Sequence, residues 1–177
     1  MATAPMPTSA SELTSDFLSA ALRSAGVLTR GRVAAFELGS VGDAGQTGEV
    51  VRVVPRYEGA DEHAPRTLIA KHAAPFEQAR AQMHALGLYE REIRFYQEFG
   101  QDPGIPIPRC YYAQLDATTG NFSLLLEDVA AGRNGNFWHG SVEDAEMAIK
   151  HLAAFHAKWW EHPRLRSTPW LRQPDDL

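Results

Sequence analysis

Hydrophobic positions change their spacing several times along the chain, and each change marks an expected element. From about residue 10 to 24 they recur at helical spacing, and Ser9 stands three residues before Glu12, which is the spacing of a capping box. Runs rich in β-branched and other apolar residues then predict three strands. These strands are expected at residues 33–41, 49–57 and 66–73.

The second half of the chain predicts two more helices and two more strands. Apolar residues recur at helical spacing between 86 and 99, and Gly100 and Pro103 end that helix. Ser141 begins a last helix, which Pro163 ends. Between these helices two strands are expected, at 109–116 and 121–129. Five strands around one helix indicate an α+β lobe with a mainly antiparallel sheet.

The composition is that of a globular protein without a general affinity for nucleic acid or membrane. Of 177 residues, 44% are hydrophobic and 22% charged, and the net charge of -5 gives no general attraction to nucleic acid or anionic lipid. No run approaches the roughly 18 apolar residues of a membrane helix, and the N-terminus has no signal-peptide pattern. The single cysteine, Cys110, forms no intrachain disulfide, so we expect a reducing, cytoplasmic compartment.

A glycine-rich stretch lies between the first two strands, with glycine at every third position. These glycines are Gly39, Gly42, Gly45 and Gly48. Glycine lets backbone N–H groups approach phosphate oxygens closely, so the stretch is able to hold a nucleotide. It contains neither GxGxxG nor GxxxxGK followed by Ser or Thr, and a plain hairpin turn is the commoner reason for glycines between strands.

Three later features strengthen the nucleotide interpretation. Lys71 ends the apolar strand LIAK, where its charge is able to contact phosphates, although an edge-strand lysine is the simpler alternative. Glu92, in YEREIRFY, is able to pair with Lys71, or is a solvated helix charge. The run LLLEDVAAG, residues 124–132, suits a hinge whose backbone meets an adenine edge, or is an ordinary strand and turn.

The order and spacing of these pieces resemble the aminoglycoside phosphotransferase and choline kinase-like superfamily, with the ecdysteroid kinase-like group as the nearest branch. The most specific pieces are REIRFY, PRCYY and LLLEDV, and the resemblance covers about residues 30–162. Members of that superfamily resemble protein kinases in fold. They bind ATP between a sheet-rich N-lobe and a helical C-lobe, and they phosphorylate hydroxyl groups of small molecules.

The resemblance implies a role for each candidate residue. Lys71 contacts the phosphates and Glu92 is its partner, while the loop from Gly42 through Gly45 to Gly48 covers the phosphates. The adenine is contacted at the hinge, by Glu127, Asp128 and Val129. ATP and Mg²⁺ are the implied cofactors, and the implied substrate is a small-molecule alcohol that the sequence does not identify.

The resemblance also divides the chain. We expect a disordered N-terminus at 1–8, a kinase-like N-lobe at 9–126, a hinge at 127–132 and the start of a helical C-lobe at 133–177. The N-lobe is expected to hold the five-stranded sheet and its helix. The last helix, 141–162, is expected to present a bare apolar face, which invites self-association.

The superfamily's catalytic motif, HGDxxxxN, is missing from the sequence. His139 and Gly140 are followed by Ser141 where the motif has Asp, and Glu146 stands where it has Asn. We therefore assign no catalytic residue and no metal ligand, and we expect a chain that stops before the catalytic loop and lacks kinase activity alone. The alternative is a non-catalytic nucleotide-binding or protein-interaction domain with a kinase-like N-lobe.

Overall fold

The computed structural model describes residues 5–41, 47–129 and 140–171. Five strands are present there: β1 Arg32–Ser40, β2 Gly48–Glu58, β3 Leu68–Ala73, β4 Cys110–Leu115 and β5 Phe122–Glu127. The α-helices are α1 Ser15–Ser24, α2 Glu77–Ala85, α3 Leu88–Arg94, α4 Val142–Trp159 and α5 Pro163–Arg166. A 3₁₀ turn, Ala10–Glu12, precedes α1, and a π-helical turn, Phe95–Phe99, continues α3.

The strands form one sheet in the order β1-β2-β3-β5-β4, and every neighbouring pair is antiparallel. This confirms the predicted α+β fold with a five-stranded antiparallel sheet. In the register, Lys71 lies opposite Val50 on β2 and Leu124 on β5. Because opposite residues share a face, the register decides which side chains can meet Lys71.

The two faces of the sheet are covered by different helices. We call the face with Leu68, Ala70 and His72 the back face, and the face with Ile69 and Lys71 the front face. Helix α1 covers the back face over its full width. Its buried side chains join sheet residues in one core: Phe17, Leu18, Ala21 and Leu22 with Val33, Val53, Leu68, Ala70 and Leu125. The core therefore lies mainly behind the sheet.

Helix α3 covers only part of the front face. Its buried residues Tyr89 and Ile93 pack with Phe122 and Leu124 of β5, and half-buried residues of β4 surround them. Over β1 to β3, no helix of the described residues covers the front face, and Val50 and Ile69 are half-buried there. An open strip of sheet therefore lies beside α3.

Helix boundaries correct the sequence analysis at the N-terminus. The expected capping box at Ser9 does not form, because the Ser9 side chain makes no cap hydrogen bond and Leu13 is extended. Thr14 caps α1 instead, and its side chain accepts a hydrogen bond from the Phe17 N–H at 3.1 Å. The Glu12 carboxylate accepts from the backbone N–H of Thr8, which lowers the pKa of Glu12.

Two helices follow β3 where the sequence predicted one. The last long helix, α4, ends at Trp159 instead of at 162. The sequence predicted one helix from 86, whereas α2 precedes it and Gly87 separates the two with a left-handed backbone, φ 67°. No residue of α2 is buried, so its sequence shows no helical spacing of apolar residues that would predict it. Ser141 caps α4 through a capping box with Asp144, and Pro163 begins α5 as well as following α4.

Helix α4 contacts the rest of the chain mainly near its end. The Trp159 indole N–H donates to the Pro103 carbonyl at 2.7 Å, and Phe99 packs edge-on against that ring. Several large apolar side chains stay exposed on or beside the helix: Val142, Met147, Ile149, Leu152 and Trp160. Exposed apolar side chains are thus present on α4, and the bare apolar face and self-association through it stay predictions.

His72 lies on the back face and is fully buried. Neither ring nitrogen makes a hydrogen bond of ordinary geometry to a described residue. Burial lowers the pKa of His72 below its usual value, against the opposing charges of Glu49 and Glu12. His72 is therefore neutral in the folded protein at pH 7.

We expect acid to destabilise the fold through His72. An unfolded histidine has a pKa of about 6.5, so between that pH and the lower folded pKa the unfolded chain binds the extra proton. The free energy of unfolding should therefore fall as pH drops from 7 to 5. Urea titrations of His72→Leu should show a shallower fall, and exposed His63→Leu should keep the wild-type slope. Equal slopes for wild type and His72→Leu would contradict this account.

Candidate functional site

An ion pair joins the sheet to α3 at the boundary of the open strip. Lys71 Nζ lies 2.7 Å from Glu92 Oε1 and 2.8 Å from Oε2, so the ammonium group is held by both carboxylate oxygens. The Lys71 side chain is 19% exposed and that of Glu92 is 32% exposed. A partly buried pair is screened by salt less than a surface pair, so the position of the ammonium group is well defined.

The packing of α3 explains why Glu92 is the partner. Tyr89 and Ile93 point into the front-face core, and Glu92 follows Tyr89 by three residues, so it lies beside that buried side. Glu90 points away and pairs with Arg94 at 2.8 Å on the exposed side. The structure thus brings together the two residues that the sequence paired. Their role in holding a nucleotide stays a prediction.

Gly48 places backbone directly beside this ion pair. It begins β2 opposite Ala73, and a Cβ atom there would lie 2.4 Å from the His72 carbonyl oxygen and 3.8 Å from Lys71 Cε. Only glycine fits at so short a distance from backbone. Of the other predicted phosphate-covering residues, Gly42 and Gly45 lie outside the described residues.

Tyr89 fastens α3 to the backbone just before β2 and just after β3. Its hydroxyl accepts from the Ala74 N–H at 3.1 Å and donates to the Thr47 carbonyl at 2.9 Å. The ring is buried against Phe122. The sequence marked Tyr89 only as an apolar helix position, because a hydroxyl that bonds distant backbone leaves no local pattern.

The end of β5 and the two residues after it hold the three predicted hinge residues. The Glu127 N–H donates to the Arg109 carbonyl at 2.8 Å, and its carboxylate accepts from the Arg109 N–H at 3.1 Å. The Asp128 carboxylate pairs with Arg52 of β2, and Val129 is exposed. The predicted hinge continues to 132, and its last three residues lie outside the described residues.

A family model described as the ecdysteroid kinase-like family matches residues 44–158, which is more than half of the chain. The chain belongs to the ecdysteroid kinase-like family. The match includes Lys71, Glu92 and all of β5, so it spans the ion pair and the hinge-side strand. Comparisons with curated proteins and with solved structures give no match.

Membership in the ecdysteroid kinase-like family agrees with the fold. The five-stranded sheet with α3 is the kinase-like N-lobe, and α4 and α5 are helices of the C-lobe. The family suggests a kinase-like phosphotransferase, for which ATP and a metal ion are the general requirements. No helix in the described ranges is both long and apolar enough to cross a membrane.

The residues present fit a nucleotide better than they fit a metal ion. Lys71 supplies a fixed positive charge, and Gly48 allows close backbone approach beside it. In contrast, no group of three or more His, Cys, Asp or Glu in residues 5–41, 47–129 and 140–171 is arranged to hold a metal ion. His139, from the partial catalytic-motif match, lies outside these ranges.

An apolar cavity of about 480 Å³ lies on the other side of Glu92, between α3 and the C-terminal helices. Its walls include aromatic side chains from both sides: Phe95, Phe99, Phe155, Trp159 and Trp170. Burial, with Glu92 nearby, raises the pKa of Tyr96 to about 12. The cavity therefore lies where the C-terminal helices meet α3 and the π-helical turn that continues it.

We expect Tyr89→Phe to destabilise the fold by about 1–3 kcal/mol, because it leaves the Ala74 N–H without its partner. Urea denaturation measures the change in the free energy of unfolding. Tyr112→Phe is the matched control, since its hydroxyl only donates to the Gln114 side chain at the surface. A Tyr89→Phe loss no larger than that of Tyr112→Phe would show that these hydrogen bonds do not anchor α3.

Proposed function

We propose that this chain provides the ATP-binding part of a phosphotransferase that acts on a hydroxyl group of a small molecule. The observation that carries the proposal is the Lys71–Glu92 ion pair, placed beside Gly48 at the boundary of the open strip. A phosphotransferase needs its donor phosphates held and their charge neutralised. Lys71 is a cation already held in place for that task.

The open strip offers separate surfaces to the parts of the nucleotide. In this proposal Lys71 contacts the phosphates and the loop from Gly42 to Gly48 covers them. Val50 and Ile69, half-buried on the same face, lie against the base. The backbone of 127–129 then meets the edge of the adenine. Mg²⁺ enters bound to the phosphates, where it supplies further positive charge.

Glu92 prepares Lys71 for this contact. Without a partner, a flexible lysine side chain would lose rotamer freedom when it binds phosphate. The two short contacts to Glu92 fix the ammonium group beforehand, so less of that entropy is lost on binding. Glu92 therefore supports binding without having to touch the nucleotide.

We further propose that residues 1–177 alone bind nucleotide without transferring phosphate. Transfer requires a base for the acceptor hydroxyl and ligands for the metal ion. The sequence has no HGDxxxxN motif to supply them, since Ser141 and Glu146 stand at the motif's Asp and Asn positions. Phosphorylation of any alcohol by this chain alone would contradict this part of the proposal.

A second candidate is a non-catalytic domain that assembles through its surface. The exposed apolar side chains Val142, Ile149 and Leu152 favour it, because helical spacing places them on one side of α4 and exposed apolar surface marks interaction sites. In that case a second copy of the chain would cover the helix, and the open strip would be irrelevant. The candidate predicts a stable oligomer that does not bind Mg²⁺-ATP.

We expect Lys71→Ala to weaken Mg²⁺-ATP binding roughly ten- to a hundredfold, which is the loss expected for a charge-assisted hydrogen bond. Isothermal titration of the 177-residue chain measures the affinity. Lys150→Ala is the matched control, because Lys150 is an exposed lysine of α4, far along the chain from the strip. Equal binding by wild type and Lys71→Ala would remove Lys71 from the site.

A further inference from the structure

A second ion pair crosses the front face at the end of the open strip. Arg52 Nε lies 2.6 Å from Asp128 Oδ2, and Arg52 Nη2 lies 3.4 Å from Oδ1. The Asp128 side chain is 3% exposed and that of Arg52 is 34% exposed. The pair joins residues 76 apart in sequence, so it ties together distant parts of the sheet.

The register shows where this pair lies. Arg52 stands opposite Ile69, and Ile69 stands opposite Leu126 on β5. Two strand spacings, about 10 Å, separate β2 from β5. To reach Asp128 just beyond β5, the Arg52 side chain must cross the front side of β3. It therefore lies on the open front face, where the proposed nucleotide site has its base end.

The two ion pairs stand at opposite ends of the strip. Val50, opposite Lys71, is two residues before Arg52 on the same strand and the same face. Two residues of a strand span about 7 Å, so the Arg52 pair follows the Lys71 pair along the strip instead of coinciding with it. A nucleotide whose phosphates lie at Lys71 then has its base beside Arg52 and the segment after β5.

The position of the segment after β5 depends on the contact between Arg52 and the buried Asp128 carboxylate. Removing the partner of a buried carboxylate is strongly unfavourable, because the charge stays out of water. Asp128 is therefore held against β2 by a contact that requires no ligand.

We propose that the Arg52–Asp128 ion pair positions the base-binding end of the nucleotide site. The inference rests on the proposed function and extends it to a residue that lies outside the predicted site. Arg52 is a positioning residue: it acts through Asp128, whose backbone lies in the hinge. Loss of the pair removes one attachment of Asp128 to the sheet and weakens recognition of the base, while the phosphate end keeps Lys71 and Glu92.

The test compares a ligand that has a base with one that does not. Titrations of the 177-residue chain use Mg²⁺-ATP and Mg²⁺-tripolyphosphate. We expect Arg52→Gln and Asp128→Asn to weaken ATP binding at least about tenfold and to leave tripolyphosphate binding within about twofold. Lys71→Ala should weaken the binding of both Mg²⁺-ATP and Mg²⁺-tripolyphosphate.

Arg56→Gln is the matched control. Arg56 lies on the same strand and the same face, and it pairs with Glu37 in an exposed position. It should change the affinity of neither ligand. If Arg52→Gln does not fold, Arg52→Lys replaces it, since it keeps the charge and loses the second N–H contact.

Three results would overturn the inference. If Arg52→Gln weakens the binding of both ligands equally, the ion pair stabilises the whole sheet and has no specific effect on the base end of the site. Unchanged ATP binding would show that the pair has no role at the site. If the wild-type chain binds neither ligand, the proposed function is wrong, and this inference fails with it. If the wild-type chain binds and either of the first two results is found, only this inference is wrong.

Discussion

The unequal covering of the two sheet faces is the constraint on which the rest of the structure depends. Helix α1 covers the back face, where the larger of the two buried clusters lies. Helix α3 covers only the β4 and β5 side of the front face. Among the described residues, a strip of the front face is therefore left without a helix, and charged residues at its boundary are held by partners on neighbouring elements.

Two ion pairs define the strip, and their burial decides what each can do. Lys71 keeps part of its surface in water, so an arriving phosphate is able to share it with Glu92. Asp128 is almost fully buried, so its attachment to Arg52 is a fixed connection between β2 and the hinge. Tyr89 also joins α3 to the sheet, through backbone at the start of β2 and at the end of β3.

Local patterns predicted the fold and the Lys71–Glu92 contact, because strand alternation and helical spacing determine which side each residue faces. They did not predict α2, none of whose residues is buried. The Arg52–Asp128 pair was also missed, since a contact across 76 residues depends on strand order, which no local spacing encodes. The cap at Thr14 was missed because Ser9 is also a capping residue type and has Glu12 at the spacing of a capping box.

The central claim is that the nucleotide lies on the front face over β2 and β3. Methyl NMR spectra of the labelled chain, recorded with and without Mg²⁺-ATP, test it directly because adjacent residues report on opposite faces. Signals of Val50 and Ile69 on the front face should shift, and those of Val53 and Leu68 on the back face should stay in place. Shifts confined to the back face, or no shift at saturating Mg²⁺-ATP, would contradict the account.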